Sequence, residues 1–430
     1  MGFSKKYFQS GVLWISLLLL LISPALSTQI GLPRLDTGLA GVYLFLGLIT
    51  LCIMKIDKKM LFSIMIFVFI LFLGVLSTLL NFSVQKILDV FFFGYLIFLY
   101  LYLYLSLDSD EIEKRIKIFI VILISLILGA FAIELLFGFQ FVYSYEEFSV
   151  LDETYKGLFF NTNDQAVVVM ALSSIVSFFC VLGEKNNKIK LIGYLLLLLS
   201  GFVIFVSGSR VALLTYVIMF FLVIFLNANY FLKIIYVFLA FTISLFLLNL
   251  EWLEQVIYSL TKISWLERPA ERVLLALFSL EQDHSVGYRT EIYTAFLDNF
   301  KFLWLGYGPR DYSAYFDKIP LSYSLGYTNP HSLFIDMYLA FGFLGFFLYI
   351  LFIFSSLFIV LISPVLSLSQ KTFSVFLIVN FCWLVWVPSS VFRLPLVWLP
   401  VFLIVIFCVV KEYNQKFRNF SQVSSELRLV

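Results

Sequence analysis

Residues 60–80 read MLFSIMIFVFILFLGVLSTLL, and no charged side chain interrupts this stretch. A helix of about 20 apolar residues crosses the hydrocarbon core of a bilayer, where a backbone finds its hydrogen-bond partners within its own helix. Lys58 and Lys59 stand immediately before the stretch, and basic residues favour the cytoplasmic end of a spanning helix. The stretch therefore predicts a transmembrane helix, and similar stretches recur along the chain.

The composition of the whole chain agrees with this interpretation. Of its 430 residues, 62% are hydrophobic and 13% are charged, against roughly 25% charged in a soluble globular domain. This composition excludes a soluble enzyme, a disordered chain and, with a net charge of +2, a nucleic-acid binder. The four cysteines have no paired spacing and there are two histidines, so we expect no disulfide framework and no metal. The sequence contains no nucleotide-binding loop, and we expect no cofactor.

Breaks in hydrophobicity predict about twelve spans, so the predicted fold class is an all-α polytopic membrane protein. About nine spans fall in residues 1–250 and three in residues 331–410. Between them, residues 251–330 form one large hydrophilic segment, and residues 411–430 form a tail. The predicted spans are Gly11–Ser27, Gly38–Met54, Met60–Leu80, Val90–Leu107, Ile118–Phe139, Gln165–Leu182, Leu191–Ser207, Val211–Leu226, Ile234–Leu250, Ser332–Ser363, Thr372–Val387 and Leu394–Val410.

The first span has two interpretations. Lys5 and Lys6, an apolar stretch and the sequence ALS at 25–27 resemble a signal peptide with its cleavage site. Proteins with many spans also insert their first helix without cleavage, and we expect an uncleaved helix here.

The distribution of Lys and Arg predicts the orientation in the cytoplasmic membrane. With the N-terminus in the cytoplasm, inside segments hold 17 of the 29 Lys and Arg residues, and short outside segments hold five. We therefore expect both termini in the cytoplasm and residues 251–330 outside, so that any chemistry takes place on the outer face. Within 251–330, Ala270–Leu280 and Tyr288–Phe300 have the periodicity of short amphipathic helices that lie on a membrane surface.

The first candidate residue is Arg210, which ends the outer turn SGSR at 207–210 between two apolar stretches. A guanidinium there can hold a phosphate through charge-assisted, often bidentate hydrogen bonds. The alternative is an interfacial anchor that extends its charge toward the lipid head groups.

The second candidate, Arg289, precedes Ile292, Tyr293 and Phe296 by three, four and seven residues. It therefore heads the apolar face of its helix and is expected to point toward the membrane or the helix bundle. The alternative is a solvated arginine on the polar face with Asp298.

The third candidate is His331. Thr328 or Asn329 can cap a helix and Pro330 suits its first position, which puts His331 in the first turn. The positive end of a helix disfavours protonation, so the imidazole stays available as a base. The alternative is a polar residue that bonds water or lipid.

Two further features have weaker interpretations. Glu134 near the outer end of its span is either a proton carrier in a transporter or a hydrogen-bonded residue at the interface. The glycines of GYGPRDY at 306–312 have the pattern of a structural turn.

In this order, these pieces resemble the bacterial O-antigen ligase and polymerase superfamily over roughly residues 157–345. The most specific piece is HS at 331–332, followed after nine residues by GFLG at 342–345, which resembles the signature of the ligases. The turn that ends at Arg210 is similar to the family's arginine at a helix start. GYRTEIY at 287–293 and LGYG at 305–308 are similar to its second arginine and its glycine turn.

One segment departs from the pattern of the family. GLFFNTND at 157–164 is similar to a segment that usually carries Asn-Pro-Asn, and Thr162 stands in place of that proline.

The resemblance implies a metal-independent, inverting glycosyltransferase that uses a glycan on undecaprenyl pyrophosphate as its donor. It implies that Arg210 and Arg289 bind the pyrophosphate and that His331 acts on the acceptor hydroxyl. The acceptor is lipid A–core in a ligase and a second lipid-linked glycan in a polymerase, and the sequence leaves both open. A flippase or transporter is the other class, and it predicts charged or helix-breaking residues at mid-membrane.

Overall fold

The computed structural model describes residues 2–31, 35–54, 56–81, 87–106, 112–142, 155–236, 238, 250–263, 266–279, 284–309, 313–316, 319, 321, 332–384 and 394–426. Within these ranges all regular secondary structure is helical, which confirms the predicted all-α fold class.

Fifteen α-helices have defined bounds in this part of the chain, and the π-helical segment Ser177–Leu182 continues the sixth. They are α1 (Gly2–Ile30), α2 (Leu35–Ile53), α3 (Lys58–Leu80), α4 (Ile87–Ser106), α5 (Ile112–Phe137), α6 (Thr162–Val176), α7 (Asn187–Val206), α8 (Arg210–Asn227), α9 (Leu250–Leu260), α10 (Glu267–Phe278), α11 (His284–Asp298), α12 (Ser313–Phe316), α13 (Leu333–Ile362), α14 (Leu368–Leu384) and α15 (Pro395–Glu426).

Nine of the described helical stretches are long and apolar enough to cross a membrane. Two other predicted spans correspond to shorter helices, Val90–Ser106 and the 17-residue α14. The predicted span Ile234–Leu250 falls mostly outside the described residues. The chain is therefore a multi-pass membrane protein, while the number of twelve spans stays a prediction.

The centre of the bundle consists of α6 and the apolar half of α15, whose side chains are nearly all buried. Trp398 of α15 marks the place where several helices meet. Its ring centroid lies 5.1 Å from that of Phe381 in α14, 5.9 Å from Phe67 in α3 and 6.2 Å from Tyr349 in α13. Aromatic rings at such distances stabilise a core beyond the effect of their buried area.

The outer layer of the bundle presents apolar stripes that suit contact with lipid. On α8, the exposed side chains Leu214, Ile218 and Phe221 follow one another at helical spacing. A soluble protein rarely exposes such continuous apolar surface, whereas lipid tails cover it without cost.

The helices predicted within residues 251–330 are present as α10 and α11, and α9 precedes them as a helix that had not been predicted. α9 packs against α10, and α10 also contacts the spanning helix α8. α9 and α10 are therefore tied to the bundle through α8. The domain boundaries at residues 250 and 330 stay predictions.

Candidate active site

The turn between α7 and α8 presents Arg210. α7 ends at Val206, Gly208 has a positive φ of 68°, and Arg210 is the first residue of α8. Glycine suits this turn because a side chain at positive φ is energetically costly. Arg210 therefore stands at the head of a spanning helix, with its side chain half-buried.

Another arginine, Arg272 of α10, packs over this turn. Its Nη1 donates a hydrogen bond to the carbonyl oxygen of Gly208 at 3.2 Å. A Cβ atom at Gly208 would lie 3.1 Å from Arg272 Cδ, so the glycine also makes room for the arginine stem. The sequence prediction missed Arg272, because a basic residue on an amphipathic helix is ordinarily a solvated one.

Arg289 lies half-buried on α11. Burial, and secondly the positive charge of Arg289, lower the pKa of the Arg210 guanidinium. Burial lowers the pKa of the Arg289 guanidinium, while the phenols of Tyr293 and Tyr288 favour its charged form. Two like charges in a partly desolvated place repel each other, and an anion between them relieves that repulsion. The guanidinium groups of Arg210 and Arg289 are therefore close enough to interact electrostatically, which makes the pair a candidate anion site.

α11 is held by its apolar face against the beginning of α13. Ile292 is fully buried, and the Phe296 ring centroid lies 5.9 Å from that of Tyr338. The hydroxyl of Tyr338 donates to the carbonyl oxygen of Lys301 at 2.8 Å, and the N–H of Leu303 donates to that hydroxyl at 3.0 Å. Ile292 and Phe296 of the predicted stripe thus form the surface that orients α11, whereas Phe300, the third residue of that stripe, is exposed and lies beyond the end of the helix.

The predicted glycine motifs form one close contact between two segments. α13 is interrupted at Gly342, where φ is 74°, and the interruption leaves backbone groups without helical partners. The N–H groups of Tyr307 and Gly308 donate to the carbonyl oxygens of Leu339 and Ala340 at 2.7 and 2.9 Å. The glycine turn therefore supplies hydrogen-bond donors to the carbonyl groups that the break in α13 leaves without helical partners. A break within a membrane needs such partners inside the protein, because lipid offers none.

The close approach requires glycine on both segments. A Cβ atom on Gly342 would lie 2.5 Å from the carbonyl oxygen of Trp304. A Cβ atom on Gly306 would overlap the backbone carbonyl group of Ala340. Both glycines of the sequence motifs are thus structural, as predicted for the glycine turn.

The sequence prediction also missed Asp336, which lies in the first turn of α13. Its side chain is 2% exposed, and within the described part of the chain its Oδ1 has no hydrogen-bond partner. A signal was present in the sequence, because Asp336 is the only charged residue of the apolar stretch 333–362, and such residues are functional candidates.

The predicted start of the helix after His331 needs a correction. Residues 322–331, which include His331, lie outside the described residues. α13 begins after its N-cap Ser332, so a cap at Thr328 or Asn329 with His331 in the first turn is wrong. The physical reason is that Ser332 has an extended backbone with φ −141°, and serine is itself a favoured N-cap residue.

Glu134 is a buried, hydrogen-bonded residue, which is one of its two predicted interpretations. Its side chain is 4% exposed, and its Oε2 accepts a hydrogen bond from the N–H of Gly157 at 2.5 Å. Gly157 has a positive φ of 56° and begins the segment that resembles the family's Asn-Pro-Asn region. Glu134 therefore anchors that segment to the C-terminal end of α5.

Within this segment, Asn161 has a structural function. It is the N-cap of α6, where its Oδ1 accepts from the N–H of Asp164 at 2.8 Å and its Nδ2 donates to Asp164 Oδ2 at 2.9 Å. Thr162 is the first residue of α6, a position that proline also suits. The replacement of the family's proline by Thr162 therefore leaves the cap intact.

A cavity of about 250 Å³ opens beside this cap, and its walls are mainly apolar. Asn161, Asp164 and Asp36 contribute its polar atoms, together with Ser23. Neither candidate arginine lines it, so the candidate anion site is separate from this cavity.

Part of the chain matches the model of a known protein family. Residues 195–350 match a family model described as O-antigen ligase, and the matched range contains Arg210, Arg289, His331 and the glycine motifs. The match confirms the resemblance to the O-antigen ligase and polymerase superfamily, and it supports a membrane glycan-transfer function of that type. No curated protein matches the chain.

Proposed function

We propose that the chain is a glycosyltransferase that moves a glycan from undecaprenyl pyrophosphate to a sugar hydroxyl on the outer face of the cytoplasmic membrane. The observation that carries the proposal is the electrostatic interaction between Arg210, at the start of the spanning helix α8, and Arg289 on α11. A pair of partly desolvated arginines suits a pyrophosphate, because each planar guanidinium can bind two phosphate oxygens.

The proposed reaction is an inverting displacement. The acceptor oxygen attacks the anomeric carbon from the side opposite to the pyrophosphate, and a new carbon–oxygen bond forms as the bond to the phosphate oxygen breaks. Undecaprenyl pyrophosphate leaves with the electron pair of that bond. Arg210 and Arg289 stabilise the negative charge that develops on it, which is the largest single effect in many enzymes.

His331 is the proposed base for the acceptor hydroxyl, and it takes the proton that the hydroxyl loses. In the chain it directly precedes Ser332, the N-cap of α13, and the positive end of a helix favours the neutral imidazole. The cleaved bond to the pyrophosphate supplies the driving force, so the proposed reaction uses neither ATP nor a metal ion.

Two acceptors fit the same chemistry. A ligase would transfer the glycan to lipid A–core, and a polymerase would transfer it to a second lipid-linked glycan. Both acceptors offer a sugar hydroxyl at the outer membrane surface, where the bias of Lys and Arg puts the arginine pair when both termini are cytoplasmic.

A flippase or transporter is the alternative, and the interruption of α13 at Gly342 is the observation that could favour it. Transporters use unwound backbone carbonyls of broken helices to bind substrates or ions. Here the carbonyl oxygens of Leu339 and Ala340 accept hydrogen bonds from the glycine turn instead. The break therefore supports a structural role, and glycan transfer stays the better proposal.

A transfer assay with purified protein in lipid nanodiscs tests the proposal. The donor is a glycan on undecaprenyl pyrophosphate, and lipid A–core and a second lipid-linked glycan are offered separately as acceptors. Arg210→Ala and Arg289→Ala should each reduce the rate by about 10² to 10³, as expected for groups that stabilise a leaving anion. Arg→Lys should restore little, because an ammonium lacks the planar fork.

The matched control is Lys185→Ala, which removes an exposed cation at the other end of the bundle. It should leave the rate unchanged. Full activity in both arginine variants would indicate that Arg210 and Arg289 are interfacial anchors and do not bind the pyrophosphate. Movement of the donor across the bilayer without glycan transfer would instead support the flippase.

A further inference from the structure

Four aromatic side chains form an exposed cluster where the segment after α11 meets α13. They are Phe302 and Trp304 of the segment and Phe343 and Phe347 of α13, and together they are called the aromatic patch. The ring centroid of Phe302 lies 5.0 Å from that of Trp304 and 5.2 Å from that of Phe343, and the Phe343 centroid lies 6.4 Å from that of Phe347. Trp304 is nevertheless 63% exposed, and Phe302 is 53% exposed. A contiguous exposed apolar surface marks a place that contacts a partner or a membrane.

The backbone of the segment is fixed against α13, so the aromatic patch has a defined place on that helix. The N–H of Phe343 donates a hydrogen bond to the carbonyl oxygen of Leu303 at 2.7 Å. The N–H of Leu303 donates to the hydroxyl of Tyr338 at 3.0 Å, and this hydroxyl donates to the carbonyl oxygen of Lys301 at 2.8 Å. The depth of α13 in the membrane therefore also sets the depth of Phe302 and Trp304.

The length of α13 beyond its break gives that depth. α13 has 30 residues and is interrupted at Gly342, so the part from Phe343 to Ile362 has 20 residues. At 1.5 Å per residue this part is about 30 Å long, which is the thickness of the hydrocarbon core of a bilayer. At its far end, Lys371 Nζ donates to the carbonyl oxygen of Leu361 at 2.9 Å, so a charged group marks one edge of the core. Phe343 therefore lies at the opposite edge, next to the lipid head groups.

The aromatic patch continues the side of α13 that faces lipid. Phe347, Phe354 and Phe358 are all exposed, and their spacings of seven and four residues put them on one side of the helix. On a spanning helix such a stripe is covered by lipid tails. Lys301 is exposed beside the patch, and its long side chain can extend a positive charge to lipid phosphate groups. Trp304 combines an apolar ring with a polar N–H, which suits the boundary between lipid and water.

We infer that the aromatic patch is a membrane anchor, which inserts Phe302 and Trp304 among the lipid head groups and the adjoining acyl chains. The partner is the lipid surface itself. α11 ends at Asp298, four residues before Phe302, so the anchor holds this end of α11 at the membrane. The helix that carries Arg289 therefore keeps a constant height relative to the bilayer. This anchoring is independent of the reaction that the chain catalyses.

Quenching of tryptophan fluorescence in lipid nanodiscs tests the anchor. The unchanged chain and Trp304→Phe are each reconstituted with lipids that carry bromine either near the head group or near the end of the acyl chain. The difference in emission between the two chains is the emission of Trp304. Bromine near the head group should quench it most, bromine near the chain end less, and iodide in the water least, because the ring lies at the edge of the hydrocarbon core. Phenylalanine keeps an aromatic ring at this position, so the fold is expected to persist.

The matched control is Trp398→Phe, because Trp398 is fully buried inside the bundle. The emission that this variant loses should respond much less to either brominated lipid than the emission of Trp304 does.

Three results would overturn the inference. Strong quenching of the Trp304 emission by iodide, without quenching by brominated lipid, would put the segment in water. Stronger quenching by bromine at the chain end than by bromine near the head group would put Trp304 deep in the core. Trp304 emission that no quencher reaches would mean that a protein surface, such as a second copy of the chain, covers the patch.

Discussion

Arg272 Nη1 donates a hydrogen bond to the carbonyl oxygen of Gly208 at 3.2 Å, and this contact joins α10 to the turn that presents Arg210. The two residues are far apart in sequence, and Gly208 has no side chain to obstruct the arginine stem. The segment between α8 and α13 therefore contributes to the candidate site in two ways. α11 carries Arg289, and α10 holds the turn before Arg210.

Loss of this contact should loosen the turn and displace Arg210. We expect Arg272→Ala to lower the transfer rate about tenfold, which corresponds to one hydrogen bond from a charged group. Arg272→Lys should behave more like Arg272→Ala than like the unchanged chain, because its ammonium cannot reproduce the guanidinium geometry. The transfer assay checks this prediction, with Glu271→Gln as the neighbouring exposed control. An unchanged rate in Arg272→Ala would show that the turn needs no support from α10.

Gly342→Ala should strongly destabilise the protein. Alanine at a φ of 74° is strained, and its Cβ atom would lie 2.5 Å from the carbonyl oxygen of Trp304. Together these effects should cost about 2 to 4 kcal/mol of unfolding free energy. Thermal unfolding of the purified protein measures the effect. Gly129→Ala is the matched control, because its Cβ atom would have no neighbour within 4 Å and α5 is helical there. Equal unfolding temperatures for both variants would contradict the close contact at Gly342.

The ion pair between Lys117 and Glu184 should make stability depend on acidic pH. Lys117 Nζ lies 2.5 Å from Glu184 Oε2. Burial raises the pKa of the Glu184 carboxyl, but the hydrogen bonds from Lys117 and from the N–H groups of Asn186 and Lys185 outweigh it and lower that pKa overall.

A lowered pKa means that the folded state favours the ionised carboxylate. Its contribution to stability is complete above the ordinary Glu pKa of about 4.3, and it is lost as the pH falls through the lower folded value. Glu184→Gln should therefore unfold at a lower temperature than the unchanged chain at pH 7, and the difference should shrink below pH of about 4. Unfolding temperatures recorded across this pH range check the prediction. A difference that does not change with pH would exclude the ion pair as its cause.

His331→Ala should nearly stop transfer while the donor still binds. Loss of a general base typically costs about 10² to 10⁴ in rate, whereas the arginines that hold the donor are unchanged. His284→Ala is the control, because the other histidine belongs to α11 and should affect neither quantity. Transfer kinetics and donor binding are measured on the same preparations. Near-normal turnover in His331→Ala would assign the base to another residue.

The helical bundle could be predicted from the sequence because membrane spans depend on local composition. The stretch at 60–80 and eight others are helices long enough to span, and the apolar stripe of Ile292 and Phe296 does face the interior. The break at Gly342 could not be predicted. A glycine within an apolar stretch is compatible with a straight helix, and the break depends on the segment 303–308 that packs against it.

The candidate site was only partly predictable for a related reason. Arg210 and Arg289 could be found because each has a local pattern, a turn in one case and an apolar face in the other. Arg272 has importance only through its contact with Gly208, and contacts between distant segments are not visible in local periodicity. Asp336 did have a local signal, because it is the only charged residue of the apolar stretch 333–362. The predicted start of α13 was wrong because Thr328, Asn329 and Ser332 can each cap a helix, and propensity alone does not choose between them.

The central claim is that Arg210 and Arg289 together hold a pyrophosphate. The most direct measurement compares the binding of undecaprenyl pyrophosphate and undecaprenyl monophosphate to the unchanged chain and to Arg289→Ala in nanodiscs. Two arginines that share the anion should favour the pyrophosphate at least about tenfold, and removal of one should abolish most of this preference. Equal affinity of the unchanged chain for the two lipids, or a preference that survives in Arg289→Ala, would contradict the claim.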